Sequence, residues 1–269
     1  MIGIFDSGFG GLTILRELRK LLPEYDFLYL GDNARAPYGP RTFETIYKYT
    51  LEAVSALFAR GCPLVILACN TASARALRSI QQNDLPRIAP QNRVLGIIRP
   101  TAEEAGLFSQ SGHLGILGTE GTVESGSYLI EIAHFFPQLK VTQQACPLWA
   151  TLVENGELDG EGARYFVKRD IESLLNKDSE IDAVLLACTH YPLLLPLIKS
   201  VIPEKIHIIS QGEIVARKTS DYLLRHPEIE TRLIRNGKVE FLTTDTPEFF
   251  TKGASFFGEN GISAKNLTF

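Results

Sequence analysis

Ala183-Val184-Leu185-Leu186-Ala187-Cys188-Thr189-His190-Tyr191-Pro192-Leu193 repeats, in altered form, the earlier stretch Pro63-Leu64-Val65-Ile66-Leu67-Ala68-Cys69-Asn70-Thr71-Ala72-Ser73. Each is a short continuous apolar run, as a strand buried on both faces requires, and then a cysteine, a hydroxyl or amide residue and a helical pattern. Two copies of one strand-thiol-helix element, 119 residues apart, predict a duplicated α/β fold. The expectation is two pseudo-symmetric three-layer units with mainly parallel sheets. If the units face each other, both thiols lie at strand carboxyl ends across one cleft, where open parallel sheets bind ligands.

Before the first copy, Ile2 to Phe5 reads as a strand, Asp6-Ser7-Gly8-Phe9-Gly10-Gly11 as its loop, and Leu12 to Leu22 as a helix with leucines at helical spacing. The glycines permit a tight turn and close approach to backbone N–H groups, which favours an anion. A dinucleotide loop fits poorly, because the GxGxxG spacing is absent and Asp6 would repel a phosphate. Phe27 to Leu30 is the next strand, and the loop after it, holding Pro37-Tyr38-Gly39, is expected beside the Asp6 loop. Cys69 sits where Leu64 to Ala68 gives way to a helix, so the helix dipole and free N–H donors predict a lowered thiol pKa. Taken alone, a cysteine after an apolar strand is more often a small buried hydrophobe. Gln81 to Arg93, polar and holding two prolines, reads as an exposed connection. A strand from Val94 to Ile98 then leads to Arg99-Pro100, the expected crossing to the second unit.

There the order of elements starts again. Leu114 to Leu117 is a strand, and Gly118-Thr119-Glu120-Gly121-Thr122 is the counterpart of the Asp6 loop with hydroxyls in place of the acid. Thr119 and Thr122 can donate to a carboxylate or cap the helix that runs from Val123 to about Phe135. Val141 to Gln144 makes the next strand, Glu154 follows in a mostly apolar stretch, and a helix runs from Gly160 to Leu175. After the Cys188 element come a strand at His207 to Ile209, the loop Ser210-Gln211-Gly212, a helix from Glu213 to Arg225, a strand at Val239 to Thr243 and a helix from Pro247 to Phe257. The expected division is residues 1–98 with 207–269 as a first, discontinuous domain, and 99–206 as a second.

Composition excludes several classes. The 269 residues are 45% hydrophobic, enough for a substantial core, and 27 Lys and Arg against 31 Asp and Glu give a net charge of −4 with no basic run. Neither nucleic acid nor an anionic membrane is implied as a partner. The amino end reads as a strand and not a signal peptide, so a cytoplasmic protein is expected. Four cysteines are too few for a disulfide scaffold, and no HExxH, CxxC or clustered His/Cys spacing calls for a metal.

The motifs DSGFGG at Asp6 to Gly11, PYG at Pro37 to Gly39, ACNTASA at Ala68 to Ala74, GTEGTVESGSY at Gly118 to Tyr128 and ACTHYPLL at Ala187 to Leu194 run in order over nearly the whole chain. In that set the chain resembles the cofactor-independent glutamate racemases of the aspartate/glutamate racemase superfamily. The resemblance implies interconversion of L- and D-glutamate by two thiols without cofactor or metal, supplying D-glutamate for peptidoglycan, in a homodimer. By motif, Cys69 acts on D-glutamate with Asp6 beside it, and Cys188 acts on L-glutamate assisted by Glu154 and His190. Ser7, Pro37, Tyr38, Gly39, Asn70, Thr71, Thr119, Thr122 and Thr189 fall at substrate-binding positions. Ser210-Gln211-Gly212 departs from the family pattern, in which an aspartate often precedes the glycine. The chain starts at its first strand, so the activation by a cell-wall precursor that accompanies an amino-terminal extension in some relatives is not expected. Aspartate racemisation, a non-catalytic amino-acid-binding module and a dithiol redox enzyme are the alternatives. His190-Tyr191-Pro192 resembles the glutamate enzymes, retention of both thiols with their acids and His190 speaks against a mere binder, and the missing CxxC speaks against redox chemistry.

Overall fold

The computed structural model describes residues 1–269. Its strands are β1 (Ile2–Asp6), β2 (Phe27–Gly31), β3 (Leu64–Leu67), β4 (Arg93–Gly96), β5 (His113–Gly118), β6 (Lys140–Ala145), β7 (Ala183–Ala187), β8 (His207–Ile209), β9 (Val239–Thr243) and β10 (Ala264–Asn266). They form a six-stranded sheet in the order β10-β9-β2-β1-β3-β4 and a four-stranded sheet in the order β6-β5-β7-β8. Every pairing is parallel. The run β2-β1-β3-β4 in one sheet is the run β6-β5-β7-β8 in the other, so the sequence echo is an echo of topology. Both Asp6 and Cys69 leave the first sheet where its strand order reverses, between β1 and β3. Thr119 and Cys188 leave the second at the equivalent point, between β5 and β7.

The continuous apolar runs have their cause in the layers. All residues of β1, β2, β3 and β7 are buried, because helices cover both sheet faces. On one face of the first sheet Phe5, Leu28, Leu30 and Val65 pack with Val54 and Leu57 of the helix Phe43–Ala59. On the other, Ile2, Ile4 and Ile66 pack with Leu12 and Leu15 of the helix Leu12–Leu21, and this core runs on without a break into Leu117, Trp149, Leu186 and Ile198 of the second half. The opposite face of the second sheet holds a separate core of Leu114, Ile116, Tyr128, Ile132 and Leu185. No helix is long and apolar enough to cross a membrane.

Several expectations need correction. The boundary drawn at residue 207 is misplaced: β8 pairs with β7 in the second sheet, and the chain returns to the first sheet only with β9. The backbone of His207 is placed there by its hydrogen bond to the Asp182 carbonyl. Gln81 to Arg93 is largely helical, with Ile80–Asp84 in a wide helical turn and Leu85–Ile88 following. Pro86 lies in the first turn of that last piece, directly after the wide turn. Arg99-Pro100 likewise opens the helix Ile98–Ala105 and is no linker. The helix expected from Val123 is broken into Glu120–Glu124 and Ser127–Phe135 by Gly126, whose φ of 65° only glycine adopts readily. The last dozen residues, unread in the sequence, add β10 at the sheet edge.

Candidate active site

The Asp6–Gly11 loop is pressed between the two cysteine elements. Asp6, the last residue of β1, is fully buried; its Oδ2 accepts from the Gly8 N–H at 2.9 Å and its Oδ1 from the Thr189 hydroxyl at 3.5 Å. Burial raises the Asp6 pKa, against the opposing pull of His190 and of the Gly8 and Gly11 N–H groups. A side chain on Gly11 would stand 2.6 Å from the Asp6 Cβ, and one on Gly10 would stand 2.3 Å from Thr189 Oγ1 and 2.5 Å from His190 Nδ1. Those two glycines let the loop touch both halves. Phe9 anchors it, stacked on Phe250 and Phe257, while the Tyr29 hydroxyl donates to the Gly8 carbonyl at 2.8 Å.

Cys69 caps the short helix Asn70–Arg75. Its Sγ accepts from the Ala72 N–H at 3.4 Å and lies 3.3 Å from the Ser7 hydroxyl. The lowered pKa expected at this helix terminus is not found. Burial, and next the Asp6 charge, push the thiol up to about 12, outweighing the donors from Ser7 and Ala72. A helix of six residues carries a small dipole, whereas a thiolate 5% exposed beside a carboxylate loses most of its hydration.

Cys188, directly after β7, has different neighbours. Its Sγ lies 3.7 Å from His190 Nδ1, and His190 Nε2 lies 3.0 Å from Glu154 Oε1 at the end of the helix Trp149–Glu154. Burial disfavours the imidazolium, yet the Cys188 sulfur and the Glu154 carboxylate together hold His190 well above the usual histidine range. Phe257 closes over the ring edge-on, with centroids 5.7 Å apart. The Thr189 carbonyl accepts from Thr13 at 3.0 Å, tying this loop to the helix Leu12–Leu21 of the other half.

The remaining residues marked in the sequence divide. Thr71 and Thr119 share a hydrogen bond of 2.9 Å across the halves, and Thr119 in turn donates to Thr122 at 3.0 Å. Thr119 also caps the helix Glu120–Glu124 through the Thr122 N–H, so its capping and binding readings coexist. Gly39 packs against Thr119, and its carbonyl lies where a side chain on Gly121 would meet it at 2.9 Å, so this loop closes on the second half. Asn70 is buried and bonded to Gln211 and Tyr128. Tyr38 shares a buried cluster with Cys69, while its hydroxyl and the Pro37 carbonyl are engaged elsewhere. The Tyr38 hydroxyl donates to Asp32, and Pro37 is exposed with its carbonyl accepting from Arg41 at 3.3 Å. No three His, Cys, Asp or Glu side chains converge as metal ligands would.

The two buried thiols stand at equivalent strand ends, one beside an acid and one beside a histidine-acid pair, close enough for the charge of Cys188 to act on Cys69. Residues 12–219 match the family described as Asp/Glu/hydantoin racemase. The chain belongs to that family. A glutamate racemase of Geobacter metallireducens is 39% identical over 259 residues, 96% of this chain and 92% of that protein. Among solved structures, glutamate racemase RacE1 of Bacillus anthracis superposes with a TM-score of 0.87 at 36% identity, covering 100% of this chain and 97% of that one. Glutamate racemase of Francisella tularensis, solved in complex with D-glutamate, superposes at 0.85 and 28% identity over 99% and 95%.

Sequence reasoning about this family member missed the residues that hold the motifs in place. Thr13, Phe9 and Phe257 position the two loops, and Gly253 exists to admit Phe9, whose ring would be 2.2 Å from a side chain there. Tyr128 and Gln211 stood inside quoted segments, but nothing local to them signals Asn70. The Gly10 signal was legible as a need for close approach; what approaches is Thr189-His190.

Proposed function

We propose that this chain interconverts L- and D-glutamate without a cofactor, by proton transfer between the substrate Cα and the two thiols, and so supplies D-glutamate for peptidoglycan. The observation that carries this reading is the unequal pairing of the thiols: Cys69 with Ser7 and Asp6, Cys188 with His190 and Glu154. L-Glutamate gives its α-proton to Cys188 while Cys69, kept as a thiol by burial and by Asp6, delivers its proton to the opposite face. The enzyme is left with the proton on Cys188 and none on Cys69, which is the form that accepts D-glutamate. Before the next L-glutamate binds, Cys188 gives its proton to water and Cys69 takes one up from water, which restores the starting form and leaves the proton count of the cycle balanced. His190 stabilises charge on the Cys188 side, and Glu154 steadies His190. Hydroxyls of Ser7 and Thr122, the Asn70 amide and the backbone of the Pro37–Gly39 loop are the donors available for the carboxylates and for the carbanionic charge that develops at Cα, and Thr71, Thr119 and Thr189 become donors when substrate displaces their partners Thr119, Thr122 and Asp6.

The test is turnover of each enantiomer in deuterated water, followed by circular dichroism and α-deuteration, for the wild type, Cys69→Ala and Cys188→Ala. Either single variant is expected to lose racemisation by on the order of 10³-fold. Unchanged racemisation in one of them would end the two-thiol reading, and aspartate turnover without glutamate turnover would replace the substrate. A homodimer in the cytosol belongs to the same reading, and four unpaired, buried cysteines suit the reducing compartment. Light scattering that returns a monomer mass would remove the dimer.

A further inference from the structure

A closed ring of hydrogen bonds lies behind the first thiol. The Asn70 Nδ2 donates to Gln211 Oε1 at 2.7 Å, Gln211 Nε2 donates to the Tyr128 hydroxyl at 2.7 Å, and that hydroxyl donates to Asn70 Oδ1 at 2.7 Å. All three residues are buried, with exposures of 2%, 3% and 0%, and they come from segments 58 to 141 residues apart. The polarity of the ring is set from outside it. The Thr101 hydroxyl gives its hydrogen to the Ile97 carbonyl at 2.7 Å, so toward Gln211 it can only accept, which it does at 3.0 Å. Gln211 must therefore turn its amide nitrogen to Thr101 and Tyr128 and its oxygen to Asn70. Asn70 must then present nitrogen to Gln211 and oxygen to Tyr128. Both hydrogens of Gln211 are used. One hydrogen of Asn70 has no acceptor within the chain.

We propose that Gln211, with Tyr128, is a positioning residue that locks the Asn70 amide in one orientation beside Cys69 and so aims its free N–H at the substrate. The inference rests on the racemase reading of the site. An Asn70 amide free to rotate would present oxygen as often as nitrogen to an anionic group, and a buried donor with a single orientation avoids that loss. A carboxylate in place of Gln211 could not donate to Tyr128. The tyrosine would then give its hydrogen to the carboxylate and leave Asn70 Oδ1 without a donor. A neutral amide is the group that lets every member of this ring be satisfied at once.

Steady-state kinetics for both glutamate enantiomers, on the wild type, Tyr128→Phe, Gln211→Leu, Asn70→Ala and the two double variants with Asn70→Ala, test this. Tyr128→Phe and Gln211→Leu are each expected to raise KM about tenfold, the scale of one hydrogen bond to a charged group, with kcat changed far less. In the Asn70→Ala background neither is expected to raise KM further, because both act through Asn70. A purely structural role would lower the melting temperature and leave KM unchanged, or give additive losses in the double variants. Unchanged KM in Tyr128→Phe, or full additivity with Asn70→Ala, would overturn the inference while leaving racemisation by the wild type untouched. Absence of glutamate turnover in the wild type would overturn the racemase reading, and this inference with it. Should Gln211→Leu fail to fold, Tyr128→Phe removes a single oxygen and decides the matter alone.

Discussion

Gly10 is a residue at which the two halves meet. A methyl group there would overlap Thr189 Oγ1 and the His190 ring. Gly10→Ala is expected to lower kcat on the order of 10²-fold by displacing His190 from Cys188, and to cost roughly 1–3 kcal/mol of stability as an overpacked contact does. Wild-type turnover by that variant would show that the loop yields without disturbing the histidine. Glu154 has an electrostatic role that can be read directly. Its carboxylate helps hold His190 above the ordinary histidine range, so Glu154→Gln is expected to move the His190 titration, followed by NMR, to lower pH. The sign follows from the raised folded value: the contribution of His190 to stability is complete below its unfolded pKa and lost as pH rises through the folded one. Cys69 shows the limit of local reasoning at this scale. Its place at a helix start was legible, but whether dipole or burial governs the thiol depends on Asp6 and on surroundings the sequence does not bring near it.

Among elements, those with a strong local signal were read to within a residue or two: β1, β3, β5, β7 and the helices Leu12–Leu21 and Glu161–Lys177. Those misread were decided by partners. β8 joins the second sheet because β7 offers it a parallel edge, and Gln81 to Arg93 stays helical because Ile80 finds a buried place and Tyr47 bonds Asp84 at 2.6 Å. The amino-terminal ends of β5 and β6 are held by a buried carboxylate. Burial would raise Asp178, but hydrogen bonds from His113 at 2.9 Å and Lys140 hold it at about 2. A depressed carboxylate contributes stability above its unfolded value near 3.8 and loses that contribution as pH falls through the folded one. Asp178→Asn is therefore expected to cost about 1–2 kcal/mol in urea unfolding at pH 6, with the gap from wild type closing between pH 4 and pH 2. A gap independent of pH would place the effect in packing.

For the whole molecule, one apolar core runs through both sheets, joining Ile4 and Leu15 to Trp149 and Leu186. We therefore expect a single cooperative thermal transition, with near- and far-ultraviolet circular dichroism coincident; two separated transitions would show that the halves fold independently. Polar contacts cross the same boundary at Thr71 with Thr119 and at Asn70 with Gln211 and Tyr128, so glutamate bound there is expected to raise the melting temperature in a saturable way. The sequence by itself determined the duplicated α/β architecture and the two thiols at its strand ends. Both are written in short-range patterns: apolar runs, glycine-rich turns and helical spacing within a dozen residues. Only the tertiary structure decided which neighbours each thiol has, that burial and Asp6 raise the Cys69 pKa instead of the helix lowering it, that β8 belongs to the second sheet, and that Gln211 and Tyr128 hold Asn70. Those outcomes depend on burial and on hydrogen bonds between groups far apart in the chain, where no local pattern records the partner.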